Sequence, residues 1–317
     1  MPHRFFRYGI ALSLVVLMTW IAEYLGESEI IFPEILALAV GGWVAEKRPW
    51  KTTRFNLWLA PTAAALFGVI LMRYTRLPAW TMVTVSFAFV ALLLTATRST
   101  LMPSISAAIL PILIGTTSWI YPISVCLLTA AIALNSPLPE RFFRQVAPAL
   151  PRNPPESAAL GRELLFWGKL LIAVTLVTFL ALKYNVLFLV APPLIVTFVE
   201  FSHEGSPLRK YPVKVFLLLG LAAWAGMLCH SILSLHLGWP LWISSAFITT
   251  FLFICYESME MLFPPAAAIS LLPTILPTAQ LPHYPWQVMA GTVLLLLTSL
   301  LFFGPVRKKG EIRLTKI

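Results

Sequence analysis

Apolar residues run along this chain in twelve stretches separated by short polar or proline-containing breaks. The stretches lie roughly at 10–25, 30–45, 56–72, 79–97, 101–118, 121–135, 164–182, 186–201, 213–235, 240–256, 262–277 and 286–304. Runs long enough to cross a hydrocarbon core of ~30 Å recur over the whole length. The pattern predicts an all-α, polytopic membrane protein of about twelve transmembrane segments. One stretch resists that simple reading. "ESMEMLFPPAAAISLLPTILP", Glu257 to Pro277, puts four prolines into an otherwise apolar run, and proline removes a helix hydrogen bond and crowds the preceding turn.

The interruption occurs twice, because the chain repeats itself. Pro78-x-Trp80 matches Pro240-x-Trp242, Pro103 falls on Pro265, and Leu110-Pro111 on Leu272-Pro273, all at an offset of 162 residues. Tyr121-Pro122 meets Tyr284-Pro285 one residue out of register, and Gly68 meets Gly226 at an offset of 158. A second pair of short interrupted segments carries Pro33 in one copy and Pro192-Pro193 in the other. Six segments return the chain to its starting side, so two six-segment repeats would be parallel, related by a pseudo-two-fold axis along the membrane normal. The predicted divisions are a first repeat at 1–136, a proline- and charge-rich cytoplasmic linker at 137–163, a second repeat at 164–304, and a basic tail at 305–317. Matched interrupted segments point to a solute site in transporters, and broken helices must face protein or a polar cavity rather than lipid.

Composition agrees with a membrane protein. The chain of 317 residues is 59% hydrophobic and 11% charged, whereas a soluble domain carries about 25% charge. The net charge of +10 is a matter of topology, not of nucleic acid. Alternate threading from a cytoplasmic N-terminus puts nineteen Lys and Arg on one side and Arg73, Arg76 and Lys183 on the other, with Lys169 just inside a helix end. That asymmetry predicts both termini in the cytoplasm, in a bacterial inner membrane. The first run lacks a small-x-small cleavage site and reads as a retained helix. Cys126, Cys229 and Cys255 sit inside apolar runs without ligand spacing and read as packing residues. Trp and Tyr near segment ends read as an interfacial belt.

The segments "EGSPLRKYPVKV" with "MLFPPAAAISLL", and "EKRPWKTTRFNL" with "TRSTLMPSISAAIL", resemble the HPP family of integral membrane proteins, here as two tandem HPP-like units over roughly 30–135 and 186–304. The resemblance implies transport of a small solute, with nitrite as an example. The family's histidine is replaced by Phe263 in one copy and Met102 in the other.

Few residues offer chemistry. The substrate-path candidates are Glu34, Arg98, Pro103, Ser104, Pro111, Glu260, Pro264, Pro265 and Pro273. An uncompensated charge inside the membrane costs several kcal/mol, which makes Glu34 a candidate proton-coupling group; a solvated interfacial place beside Glu27 and Glu29 is the alternative. Arg98 and Glu260 occupy matching positions, as a facing ion pair or gate or as solvated helix ends. Ser104 and Ser106 follow Pro103 at a helix N-terminus, an anion site in principle, where the second copy has Ala266 and Ala268. Pro111 and Pro273 should break or kink their helices near mid-membrane and turn the freed carbonyls toward the pseudo-two-fold axis. No catalytic, cofactor or metal motif is present in the sequence. The expected function is a transporter or channel for a small solute, not an enzyme. The expected partners are the lipid bilayer and a small-molecule or ion substrate, with no nucleic acid; a homo-oligomer is compatible. The alternatives are a lipid- or isoprenoid-directed membrane enzyme and a non-transporting assembly protein.

Overall fold

The computed structural model describes residues 2–135, 157–203 and 205–304. Most of the expected linker and the whole expected tail lie outside those residues, while 157–163 are already helical. The described residues form twelve α-helices: α1 (Pro2–Leu25), α2 (Glu34–Ala39, continued as a π-helical segment Val40–Val44), α3 (Arg54–Tyr74), α4 (Ala79–Ala96), α5 (Pro103–Ile114), α6 (Ile120–Asn135), α7 (Ser157–Lys183), α8 (Pro192–Ser202), α9 (Pro212–Cys229, continued as a π-helical segment His230–His236), α10 (Leu241–Ser258), α11 (Pro264–Leu271, followed by a 3₁₀ turn Leu272–Ile275) and α12 (Tyr284–Phe303). Seven of them (α1, α3, α4, α7, α9, α10 and α12, some with flanking residues) are long and apolar enough to cross a membrane. Five are shorter.

Four of the short helices form the centre. α2 packs on α5 and α11, and α8 packs on the same two, closing a ring. Every residue of α2 and its π segment is buried, as is every residue of α11. In α5 the run Pro103–Ile112 is buried, and in α8 all but Glu200. The longest of the four, α5, has 12 residues, about 18 Å at 1.5 Å per residue. Such a helix falls well short of ~30 Å of hydrocarbon, and a short helix is tolerable when it touches no lipid. The other eight helices surround the ring and supply the exposed apolar side chains, such as Leu92, Leu127, Leu176 and Leu301.

The outer contacts are reciprocal. α1 packs on α10 and α7 packs on α4; α2 packs on α11 and α8 on α5. Hydrogen bonds also tie helix ends to one another across the bundle. The Lys51 carbonyl accepts from Thr100 N at 2.9 Å, Arg73 donates to the Thr117 carbonyl at 3.2 Å, and Lys214 donates to the Met259 carbonyl at 3.1 Å.

Local structure also recurs at the sequence offsets. Pro78 and Pro240 start α4 and α10 with nearly the same backbone (φ −56°, ψ 144° and φ −52°, ψ 142°). Arg98 and Glu260 end those helices, both at φ 50°. Ser99 N bonds the Leu94 carbonyl and Arg98 N the Thr95 carbonyl; Met261 N bonds the Tyr256 carbonyl and Glu260 N the Glu257 carbonyl. That pattern is a Schellman cap, whose left-handed position glycine fills most readily.

The prolines act less symmetrically than their spacing suggests. Pro103 and Pro264 open α5 and α11, with Pro265 next, where a missing N–H costs little. Pro273 follows the end of α11, but α5 runs through Pro111 to Ile114. Proline at position i leaves the carbonyl at i−4 without its helical donor. For Pro111 that carbonyl is Ala107, which accepts the Tyr121 hydroxyl at 3.0 Å; for Pro273 it is Ile269, which accepts the Tyr284 hydroxyl at 2.6 Å. The expectation that these carbonyls open toward a solute path is therefore corrected, since buried tyrosines take them.

The turn beside each proline is sealed by a glycine. A Cβ on Gly68 of α3 would lie 2.2 Å from the Ala108 carbonyl oxygen, and one on Gly226 of α9 would lie 2.1 Å from that of Ser270. Gly68→Ala and Gly226→Ala should each destabilise the protein by about 1–3 kcal/mol through overpacking. Gly168→Ala, whose Cβ meets nothing within 4 Å, should not. Tyr121→Phe and Tyr284→Phe should each cost about 1–3 kcal/mol by leaving a buried carbonyl without a donor. Thermal unfolding in detergent measures all five; equal melting of the glycine variants, or wild-type melting of both tyrosine variants, would refute this packing.

Candidate functional site

Helix α2 starts inside the protein rather than at a surface. Phe32 N meets the Met18 sulfur at 3.3 Å, Pro33 turns the chain, and Glu34 opens the helix. Glu34 is 1% exposed. Its Oε1 accepts a hydrogen bond from Ser106 Oγ on α5. Its Oε2 has no hydrogen-bond partner among the described residues. Tyr121 and Tyr284 lie close enough for the carboxyl to act on them electrostatically. The carboxyl thus sits among α2, α5, α6 and α12, and no Arg or Lys offsets it among the described residues. The interfacial alternative for Glu34 does not hold; Glu29, five residues earlier, takes that place and accepts from Thr116 in the loop after α5.

Ser104 is fully buried and its Oγ has no partner among the described residues. It does not join Glu34, because residues two apart on a helix point to different sides and Ser106 has taken that direction. Arg98 and Glu260 are exposed at their turns and form no salt bridge with each other among the described residues. Of the two readings, the solvated helix ends fit and the facing ion pair does not: both residues sit exposed at the left-handed caps of α4 and α10.

A cavity of about 660 Å³ opens between the two halves at the end of α2 opposite Glu34. Val40, Ala45, Pro49, Leu262 and Pro264 give it apolar walls, while Arg4, Glu46, Lys47, Glu257 and Glu260 bring charge of both signs. Of the candidate residues it gathers Glu260 and Pro264. Across it, Arg4 Nε lies 3.0 Å from Glu257 Oε1, which also accepts the Tyr8 hydroxyl at 2.6 Å.

Trp50 and Glu200 form a link that the pattern of apolar runs did not show. Trp50 is 3% exposed, its ring fills the space beside Gly41, and its Nε1 donates to Glu200 Oε1 at 3.0 Å. The loop after α2 is thereby tied to the last turn of α8. The adjacent Gly41-Gly42 was the available signal, since glycine in a buried helix often marks the close approach of another group.

Arg4→Gln should cost at most about 1 kcal/mol, because an ion pair this exposed (38% and 40%) is screened by water. The loss should shrink in high salt when melting curves are compared; a larger, salt-independent loss would mean that Arg4 acts through packing.

No family model, no curated protein and no solved structure matches the chain.

Proposed function

We propose that this protein is a membrane transporter or channel for a small solute, with its path through the ring of α2, α5, α8 and α11. In this reading two parallel six-segment repeats cross the bilayer twelve times in alternation. Both termini and the cavity face the cytoplasm, in a bacterial inner membrane. The observation that carries it is the mixed-charge cavity between the halves, whose walls include Val40 of α2 and Pro264 of α11. The reciprocal contacts of α1 with α10 and α4 with α7 support a pseudo-two-fold arrangement, in which one half can rock against the other. The HPP-like motifs make nitrite the first solute to try; the cavity itself sets Arg4 and Lys47 beside Glu46, Glu257 and Glu260, which is why cations and amino acids join the panel.

Two experiments test this. In intact cells, Lys47→Cys should be protected from an impermeant thiol reagent and Arg76→Cys labelled; the reverse result would invert the topology. In proteoliposomes, Leu262→Cys, which lines the cavity and is partly exposed, should react with a thiol reagent from the basic face. Uptake of nitrite, other small anions, amino acids and monovalent cations should reveal at least one solute carried above empty vesicles. If Leu262→Cys stays unreactive from both faces and none of the panel enters, the non-transporting assembly reading replaces this one.

A further inference from the structure

We infer that Glu34 is the site where this protein takes up and releases a proton as it works, so that solute movement is coupled to proton movement. The inference rests on the transport reading above and adds the coupling ion to it.

The argument begins with what surrounds the carboxyl. Facing groups come from every element packed against α2. From α5 comes Ser106, which donates to Oε1. From α6 and α12 come Tyr121 and Tyr284, whose hydroxyl protons are committed to the Ala107 and Ile269 carbonyls. α11 carries no ionisable side chain. α1 carries Arg7, whose guanidinium reaches the Val44 carbonyl at the far end of α2, Arg4 and Tyr8, both committed to Glu257, and Glu23, which accepts from Leu241 N; α1 is followed by Glu27 and by Glu29, which is bonded to Thr116. The Ser106 hydroxyl, Glu34's own backbone N–H and the start of α2 favour a negative charge at Glu34, but no cation is in this set. A charge in that position is therefore without a counter-ion, and such residues are rare unless function requires them.

The unpartnered Oε2 narrows the choice of ion. A hard metal cation replaces its water shell with about six oxygen ligands. Glu34 is offered one hydroxyl, already bonded to Oε1, and two tyrosine oxygens held by their own carbonyl bonds. A proton needs a single lone pair, and Oε2 supplies it. The step is a simple one: the carboxylate binds H⁺ to become the neutral acid, and the same O–H bond breaks on release, with no redox change. The cavity lies beyond the other end of α2: Val40, which borders it and is itself buried, is six residues from Glu34, about 9 Å at 1.5 Å per residue. Proton exchange at Glu34 therefore requires the packing around α2 to open during the cycle. In the second copy the matching positions, Pro193 and Leu194, cannot ionise, so a single carboxyl serves both halves.

The test uses protons and no solute. The full-length protein is reconstituted into phosphatidylcholine–phosphatidylglycerol vesicles, and infrared difference spectra are taken as the buffer pH is stepped. The expected result is a carbonyl stretch of a protonated carboxylic acid that appears and disappears with pH in the wild type. In a Glu200→Gln background, which removes the other enclosed carboxyl, the high-frequency band of a buried acid should remain, and adding Glu34→Gln should abolish it. Ser106→Ala, which removes the donor to Oε1 and leaves the carboxyl in place, should keep the band with a shifted pH midpoint; this variant reports on Glu34 even if Glu34→Gln folds poorly. A high-frequency titrating band that persists in folded Glu34→Gln/Glu200→Gln, the absence of such a band in Glu200→Gln, or a midpoint unmoved in Ser106→Ala overturns the inference. Those failures leave the transport reading to the cysteine and uptake results. Conversely, a titrating Glu34 in a protein that fails both of those tests would stand as proton binding without transport.

Discussion

A backbone carbonyl deprived of its helical donor has no water to turn to inside a membrane protein, and this one requirement organises the centre of the molecule. Proline at 111 and 273 orphans the carbonyls of Ala107 and Ile269, and each buried carbonyl left alone would cost several kcal/mol. Tyr121 and Tyr284 meet that demand from the helices that follow. Gly68 and Gly226 let α3 and α9 close against the adjoining turn. Proline, tyrosine and glycine are thus one device, present twice. Its effect is to seal α5 and α11 against their neighbours, which makes helices of twelve residues or fewer tolerable in a protein of this composition.

Sealing the short helices separates scaffold from chemistry. The scaffold recurs in both halves: the tyrosine bonds, the glycine contacts, the left-handed caps and the exchange of α1 and α4 for α7 and α10. The chemistry does not recur. Glu34 and Ser106 stand against apolar Pro193 or Leu194 and Ala268. Arg4, Tyr8 and Glu257 tie α1 to α10 by charge and hydrogen bonds. On the other flank, Phe166 of α7 stacks on His203 with ring centroids 4.4 Å apart. Duplication would supply a frame that is stable in both copies, and one copy is then free to lose its polar groups while the other keeps them.

What could be read along the chain is whatever has a short period or a repeated register. The twelve apolar stretches each correspond to one helix, because burial in lipid or protein leaves long apolar runs whatever the tertiary arrangement. The matched prolines Pro103 and Pro265 marked the first turns of α5 and α11, since proline's fixed φ suits that place wherever the helix lies. Tertiary structure decided which helices avoid the outside, and there local pattern is silent: α5 and α4 have similar hydrophobicity, yet one is enclosed and the other exposed. It also decided the partners of side chains. Arg98 and Glu260 matched in register and were separated by the caps that hold them. Glu34, beside two other glutamates in sequence, was carried into the interior by the turn at Pro33. Whether a carboxyl is solvated or stranded depends on what three other helices bring to it, and those helices lie some 70 to 250 residues further along the chain.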